Sequence, residues 1–181
     1  MDPQPFGPAE SVAALHLDVD RATRPLDLAH LSRLKCGPGC SSCCVDDLTV
    51  FPVEADLIRR HHGGLLATGT PHPEGACAFL DAEGTCRIYE HRPYVCRTQG
   101  YPLRWVDETE DGSPVELRDI CPLNDEPGPP IELLPPELCW TLGPAEARLA
   151  ALQALASAAG APPARVRLRD LFDQSPDPKT G

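Results

Sequence analysis

The sequence predicts an α+β fold, a small cysteine-rich metal-binding domain with short β-hairpins and peripheral helices. Three observations predict it. Eight of the nine cysteines lie between Cys36 and Cys121, a density most simply explained as ligands for a soft metal ion. Two stretches in that same region pair β-prone runs across turn residues: CAFLDAEGTCRIY around Asp81 to Gly84, and LRWVDE with VELRDI around Asp111 to Pro114. Before and after the cysteines, apolar residues recur at helical spacing.

A chain of 181 residues with 41% apolar content can build a hydrophobic core without covalent staples. Cysteine makes up about 5% of it, below the roughly 8 to 10% of a disulfide scaffold, and the count is odd. The first twenty residues show neither a basic n-region nor an apolar h-region, so no secretory signal is expected. The apolar-rich stretch near Ala145 to Ala161 is interrupted by Glu146, Arg148 and Gln153, which argues against a membrane span. The expectation is a soluble cytoplasmic protein in a reducing compartment, where clustered thiols serve metals or catalysis more often than disulfides. A net charge of −11 argues against nucleic acid as a partner. The partner expected is a metal ion, with no membrane and no particular protein specified.

Four segments are expected: a helical or irregular lead-in over 1–32, a cysteine-cluster metal-binding domain over 33–125, a proline-rich connector with C-terminal helical packing over 126–174, and a disordered tail over 175–181. In the lead-in, Val12, Leu15 and Val19, then Leu28, Leu31 and Leu34, predict two short helices or turns interrupted by Pro25. CGPGCSSCC, rich in Gly and Ser, suits a loop curling around an ion. A helix starting at Pro52 is expected to stop at Gly63 and Gly64. The hairpin over 77–89 would put Cys77 and Cys86 on adjacent strands, and YEHRPYVCR holds at most a turn of helix before Pro93. Residues 102–120 form the second hairpin. PGPP and LPPE mark an irregular connector over 124–136. Short and longer helices are expected over 136–142 and 144–159, the latter with a stripe of Leu149, Leu152 and Leu155 read as core packing, and a last strand or helix over 165–172.

In CGPGCSSCC the gaps between cysteines are three residues, two and none. Gaps of two to four let thiolates of one loop reach a shared tetrahedral ion, so Cys36, Cys40 and Cys43 make a credible chelate. Neighbouring side chains tend to diverge, so Cys43 and Cys44 are expected to serve different ions, or one an ion and the other the core. Cys77, Cys86, Cys96 and Cys121 complete eight candidate metal ligands. Eight thiolates would fill two four-thiolate sites, or one iron-sulfur cluster plus a second site; spacing does not choose between zinc and iron. Cys139, beside Trp140 on an expected helix, is read as a small buried hydrophobe. Arg87, Arg92, Arg97 and Arg104 either offset thiolate charge or are solvated surface residues. His61 and His62, near a helix end, and His91, in a turn, read as structural rather than as ligands.

CGPGCSSCC, the downstream CAFLDAEGTCRIYEHRPYVCR and the later CPL together resemble the YkgJ-type cysteine-cluster family, the CxxCxxCC domain named for zinc or iron chelation, over about residues 33–125. The most specific matches are Cys86, Ile88, Tyr89, Arg92, Pro93, Cys96 and Arg97. The first gap is three residues where the family name implies two, and Leu123 stands where the family has a glycine after Cys-Pro. The resemblance implies that the same eight cysteines bind the metal, and it supplies no substrate. A related cysteine pattern in flagellin lysine methylases raises an iron-sulfur methyl-transfer enzyme as an alternative. No glycine-rich loop after a clear strand is present to cradle a methyl donor. The reading is therefore a protein chelating zinc or iron through cysteine thiolates for structure, storage or delivery; the alternative is an iron-sulfur or thiol-dependent redox or methyl-transfer enzyme.

Overall fold

The computed structural model describes residues 7–157 and 164–173. The expected disordered tail from residue 175 and the last residues of the helix expected to end at Ala159 lie outside them. Among the described residues the architecture is mixed α+β, four α-helices with short strands in two small sheets. The chain divides into two compact units, each assembled from separated stretches of sequence: one from 1–14, 38–93 and 149–181, the other from 15–37 and 94–148.

The first unit is built on a two-residue pairing. β1 (Thr49–Val50) runs antiparallel to β5 (Val166–Arg167), with Val50 opposite Val166. Strands this short are held by what packs on them, here a cluster of Val50, Ala55, Ile58, Leu66, Phe79, Leu80, Ile88, Leu168 and Leu171. α2 (Pro52–Thr68) starts as its proline predicts. Its N-cap, Phe51, offers no side-chain acceptor. The exposed need of the helix end is met instead from 100 residues away, where buried Gln153 accepts a hydrogen bond from the Val53 N–H at 3.1 Å.

Gly63 and Gly64 do not stop α2. The backbone leaves helical geometry at His62 (φ −125°, ψ 22°), and the helix then resumes to Thr68, where Gly69 N–H bonds to the Leu65 carbonyl at 2.8 Å. Leu66 explains the extension, because it belongs to the core cluster and its burial outweighs the helix cost of two glycines.

In the second unit, β2 (Leu103–Glu108) and β3 (Pro114–Asp119) form the expected hairpin, Leu103 opposite Asp119 through Glu108 opposite Pro114. Gly112, at φ +80°, makes the turn that a side chain would strain. β4 (Trp140–Thr141) adds in parallel to β2. The helix expected over 136–142 is therefore a single 3₁₀ turn, Pro136–Leu138, followed by extended chain at Cys139. Hydrogen bonds from Trp140 N–H to the Pro102 carbonyl and from Leu142 N–H to the Arg104 carbonyl hold it to the sheet edge.

α1 (Pro8–Ala29) is one helix of 22 residues that runs through Pro25. Val12, Leu15, His16, Val19, Thr23 and Leu26 are buried at three- and four-residue steps. That uninterrupted buried stripe offsets the hydrogen bond that proline deletes. Leu28 and Leu31, expected in the apolar stripe, are instead 70% and 72% exposed. α4 (Pro144–Ala156) shows the same correction: Ala145, Leu149 and Gln153 are buried, and Leu155 is 85% exposed. No helix among the described residues is long and apolar enough to cross a membrane.

Candidate metal centre

None of the nine cysteines forms a disulfide. The first unit holds Cys40, Cys43, Cys44, Cys77 and Cys86; the second holds Cys36, Cys96, Cys121 and Cys139.

In the first unit, Cys44 and Cys86 pack against the same apolar cluster of which Cys77 is a buried member. Three connections bring them there. Cys77 N–H donates to the Cys44 carbonyl at 2.8 Å. Arg169 fastens the loop before Cys77, donating from Nε to Asp46 Oδ1 at 2.5 Å and from its other nitrogens to the carbonyls of His72, Pro73 and Ala76. This guanidinium holds the Asp46 carboxyl below its usual range. Asp46 also accepts from Gly75 N–H at 3.0 Å. On the far side, Asp81 Oδ1 accepts from the N–H groups of Glu83 and Thr85, closing a turn with Gly84 at φ +75° that delivers Cys86 to its pairing opposite Leu80. The expected hairpin is this single bridge, and Cys77 lies in a turn ahead of it, its carbonyl accepting from Leu80 N–H. Burial pushes the thiols of Cys77 and Cys86 up.

Cys43 and Cys44 depart from the expectation that adjacent side chains diverge. Cys44 N–H bonds to the Ser41 carbonyl and Val45 N–H to the Cys43 carbonyl, so the backbone is turned rather than extended. The two sulfurs reach hydrogen-bonding distance, and the Cys44 thiol, bonded to Cys43, lowers the latter to about 6. Cys43 is thus drawn toward the thiolate form by its neighbour.

In the second unit Cys36 is backed by Asn124, a residue the sequence reading passed over. Asn124 is fully buried; its Nδ2 donates to Cys36 Sγ at 3.3 Å and to the Gly100 carbonyl at 2.8 Å, and its Oδ1 accepts from Lys35 N–H at 2.7 Å. Its own N–H bonds to the Cys121 carbonyl, so one amide ties the approaches to Cys36 and Cys121. A donor aimed at sulfur stabilises the thiolate form, the role of an outer-shell partner in thiolate sites. The only sequence signal was an asparagine three residues after a cysteine, which is too common to single out. Cys96 lies half-buried within α3 (Tyr94–Arg97), and Cys121 caps the 3₁₀ turn Pro122–Asn124. Cys139 is buried, and desolvation pushes its thiol up.

The interleaved arginines have structural engagements. Arg87 donates to the carbonyls of Ala78 and Phe79, Arg92 lies 4.0 Å over the Tyr89 ring, Arg97 is buried on Asp20 at 2.6 Å, and Arg104 pairs with Glu116 at 2.7 Å. Arg92 and Arg87 still draw the Cys86 thiol downward, against its burial.

Thiolates are the donors that soft and borderline cations prefer, so the side chains present fit zinc or iron by their chemistry. Among the described residues, no three His, Cys, Asp or Glu side chains converge tightly enough to hold an ion in the positions shown.

Residues 35–122 match the family model described as "CxxCxxCC: Putative zinc- or iron-chelating domain". The segment is similar to the CxxCxxCC family over those residues. Its span contains all eight cysteines singled out from the sequence, and it excludes Cys139. The similarity supports metal binding in general by this segment. No curated protein and no solved structure matches the chain.

Proposed function

We propose that the chain chelates zinc or iron through Cys36, Cys40, Cys43, Cys44, Cys77, Cys86, Cys96 and Cys121, as a cytoplasmic metal-holding protein. The observation that carries this reading is the Cys43–Cys44 contact beside the apolar cluster on which Cys44, Cys77 and Cys86 meet. Cys44 draws Cys43 toward the thiolate form, and Cys44 and Cys86 pack against the apolar cluster that includes Cys77. Apolar surroundings keep water out and strengthen a metal–thiolate bond once formed. In the second unit, Asn124 supplies the N–H that a Cys36 thiolate requires. A bound ion would supply local folding energy and charge neutralisation.

Elemental analysis of reduced, anaerobically purified protein tests the proposal, together with Cys44→Ser and Cys77→Ser. Zinc or iron near a stoichiometric ratio, reduced in both variants, is the expected result. Protein without either metal refutes it. A second reading, thiol-dependent redox chemistry, rests on the same lowered Cys43, since a thiolate is also a nucleophile. Visible absorption separates the metals, because a zinc site is colourless and an iron-sulfur cluster is not.

A further inference from the structure

His62 and His91 come from different elements of the first unit and meet. His62 sits where α2 breaks its helical path, and His91 ends the 3₁₀ turn Tyr89–His91. His62 Nε2 lies 3.1 Å from His91 Nδ1. Two ligands each about 2.0 to 2.1 Å from one zinc ion at a tetrahedral angle are separated by about 3.3 Å, so this pair already has the bite of a bidentate chelate. The imidazole–imidazole hydrogen bond uses one lone pair and one N–H. A cation would take both lone pairs, the proton moving to the ring nitrogen on the far side.

His61 serves a different purpose. Its ring is stacked on that of His91, with centroids 3.8 Å apart and planes 14° from parallel. Imidazole lone pairs lie in the ring plane, so a ring stacked in parallel cannot share the ion held in the plane of its neighbour; it fixes the orientation of His91. This agrees with the lack of any three-donor group among the described residues. Arg59 pairs with Asp56 at 2.7 Å and Arg92 lies over Tyr89. Burial first, and then the neighbouring His91 and His61, hold the His62 imidazole below its ordinary value, with Glu90 acting the other way. Both imidazoles of the pair are only half-buried, which leaves solvent access for incoming ions and for the waters that would complete the coordination.

We propose that His62 and His91 form a two-imidazole site for a borderline divalent cation, of the Zn(II) or Ni(II) class, distinct from and independent of the cysteine ligands. Imidazole nitrogen suits these ions, and their choice is set by donor type and geometry.

The test is titration of the protein as purified, its resident metal in place, with Ni(II), followed by calorimetry and by histidine ¹H–¹⁵N spectra. One added equivalent should bind, broaden the His62 and His91 resonances first, and produce no thiolate-to-metal charge-transfer band. His62→Gln and His91→Gln should each weaken it at least about tenfold, the loss that even an outer-shell partner causes, and His72→Gln should not. Unchanged affinity in both variants, or His62 and His91 signals that stay sharp at one equivalent, overturns the site; the signals decide the matter even if a variant folds poorly. Cysteine variants that lose resident metal but keep this equivalent separate it from the thiolate reading.

Discussion

Replacing Gly100 by alanine probes the packing around Cys36 directly. Gly100 has φ +97°, and a Cβ built there would lie 2.5 Å from Cys36 Sγ and 3.1 Å from Asn124 Nδ2. Two costs add. The left-handed backbone penalises any side chain by about 1–2 kcal/mol, and displacing Asn124 from its partners strands a buried amide at about 1–3 kcal/mol. The total, about 2–5 kcal/mol, is a large part of a typical stability of about 5–15 kcal/mol. Gly112→Ala is the internal control, with φ +80° and nothing within 4 Å of its Cβ, so that only the first cost applies. Urea unfolding followed by tryptophan fluorescence suits the comparison, since Trp105 and Trp140 both report on the second unit. Gly100→Ala should lose about 1–3 kcal/mol more than Gly112→Ala, and its Cys36 should alkylate at an altered rate. Equal losses from the two substitutions would refute the packing of Cys36 against Gly100 and Asn124.

Three further outcomes are expected. In metal-free reduced protein, alkylation of Cys43 should rise with a midpoint near pH 6, and Cys44→Ala should move that midpoint toward the ordinary 9.0; mass-spectrometric rates across pH 5–9 check it. Because the folded value lies below the unfolded one, the associated stability is complete above pH 9.0 and drains away as pH falls through about 6. Gln153→Leu should cost about 1–3 kcal/mol by leaving the buried Val53 N–H unpaired, and thermal unfolding no lower than wild type would contradict that assignment. Gly64→Ala, in open space on α2, should raise stability by up to about 1 kcal/mol, measured as an increase in Tm.

Local signals succeeded where the chain's neighbours in sequence are also its neighbours in space. The 102–120 hairpin formed as expected because its turn chemistry and β-prone runs act over a dozen residues. Pro52 started its helix for a similarly local reason. Failures came where a distant partner outweighed propensity. Pro25 and the Gly63–Gly64 pair did not break their helices, since buried residues beyond each, Leu26 and Leu66, reward continuation. Leu155 left the expected stripe, whereas polar Gln153 entered it to serve the α2 N-terminus. The three histidines read as unrelated structural residues, and no spacing rule could join His62 to His91 across 29 positions.

The sequence by itself determined the chemistry of this protein: eight thiols in one stretch, a composition needing no disulfides, and the CxxCxxCC family pattern. These are properties of side-chain type and short spacing, which survive in the unfolded chain. Only the tertiary structure decided which sulfurs share a neighbourhood, that Cys44 lowers Cys43 rather than turning away from it, that Asn124 backs Cys36, and that two imidazoles meet. Such pairings depend on loop closures over tens of residues, and their outcome is set by the burial of apolar groups elsewhere in each unit rather than by the residues that end up in contact.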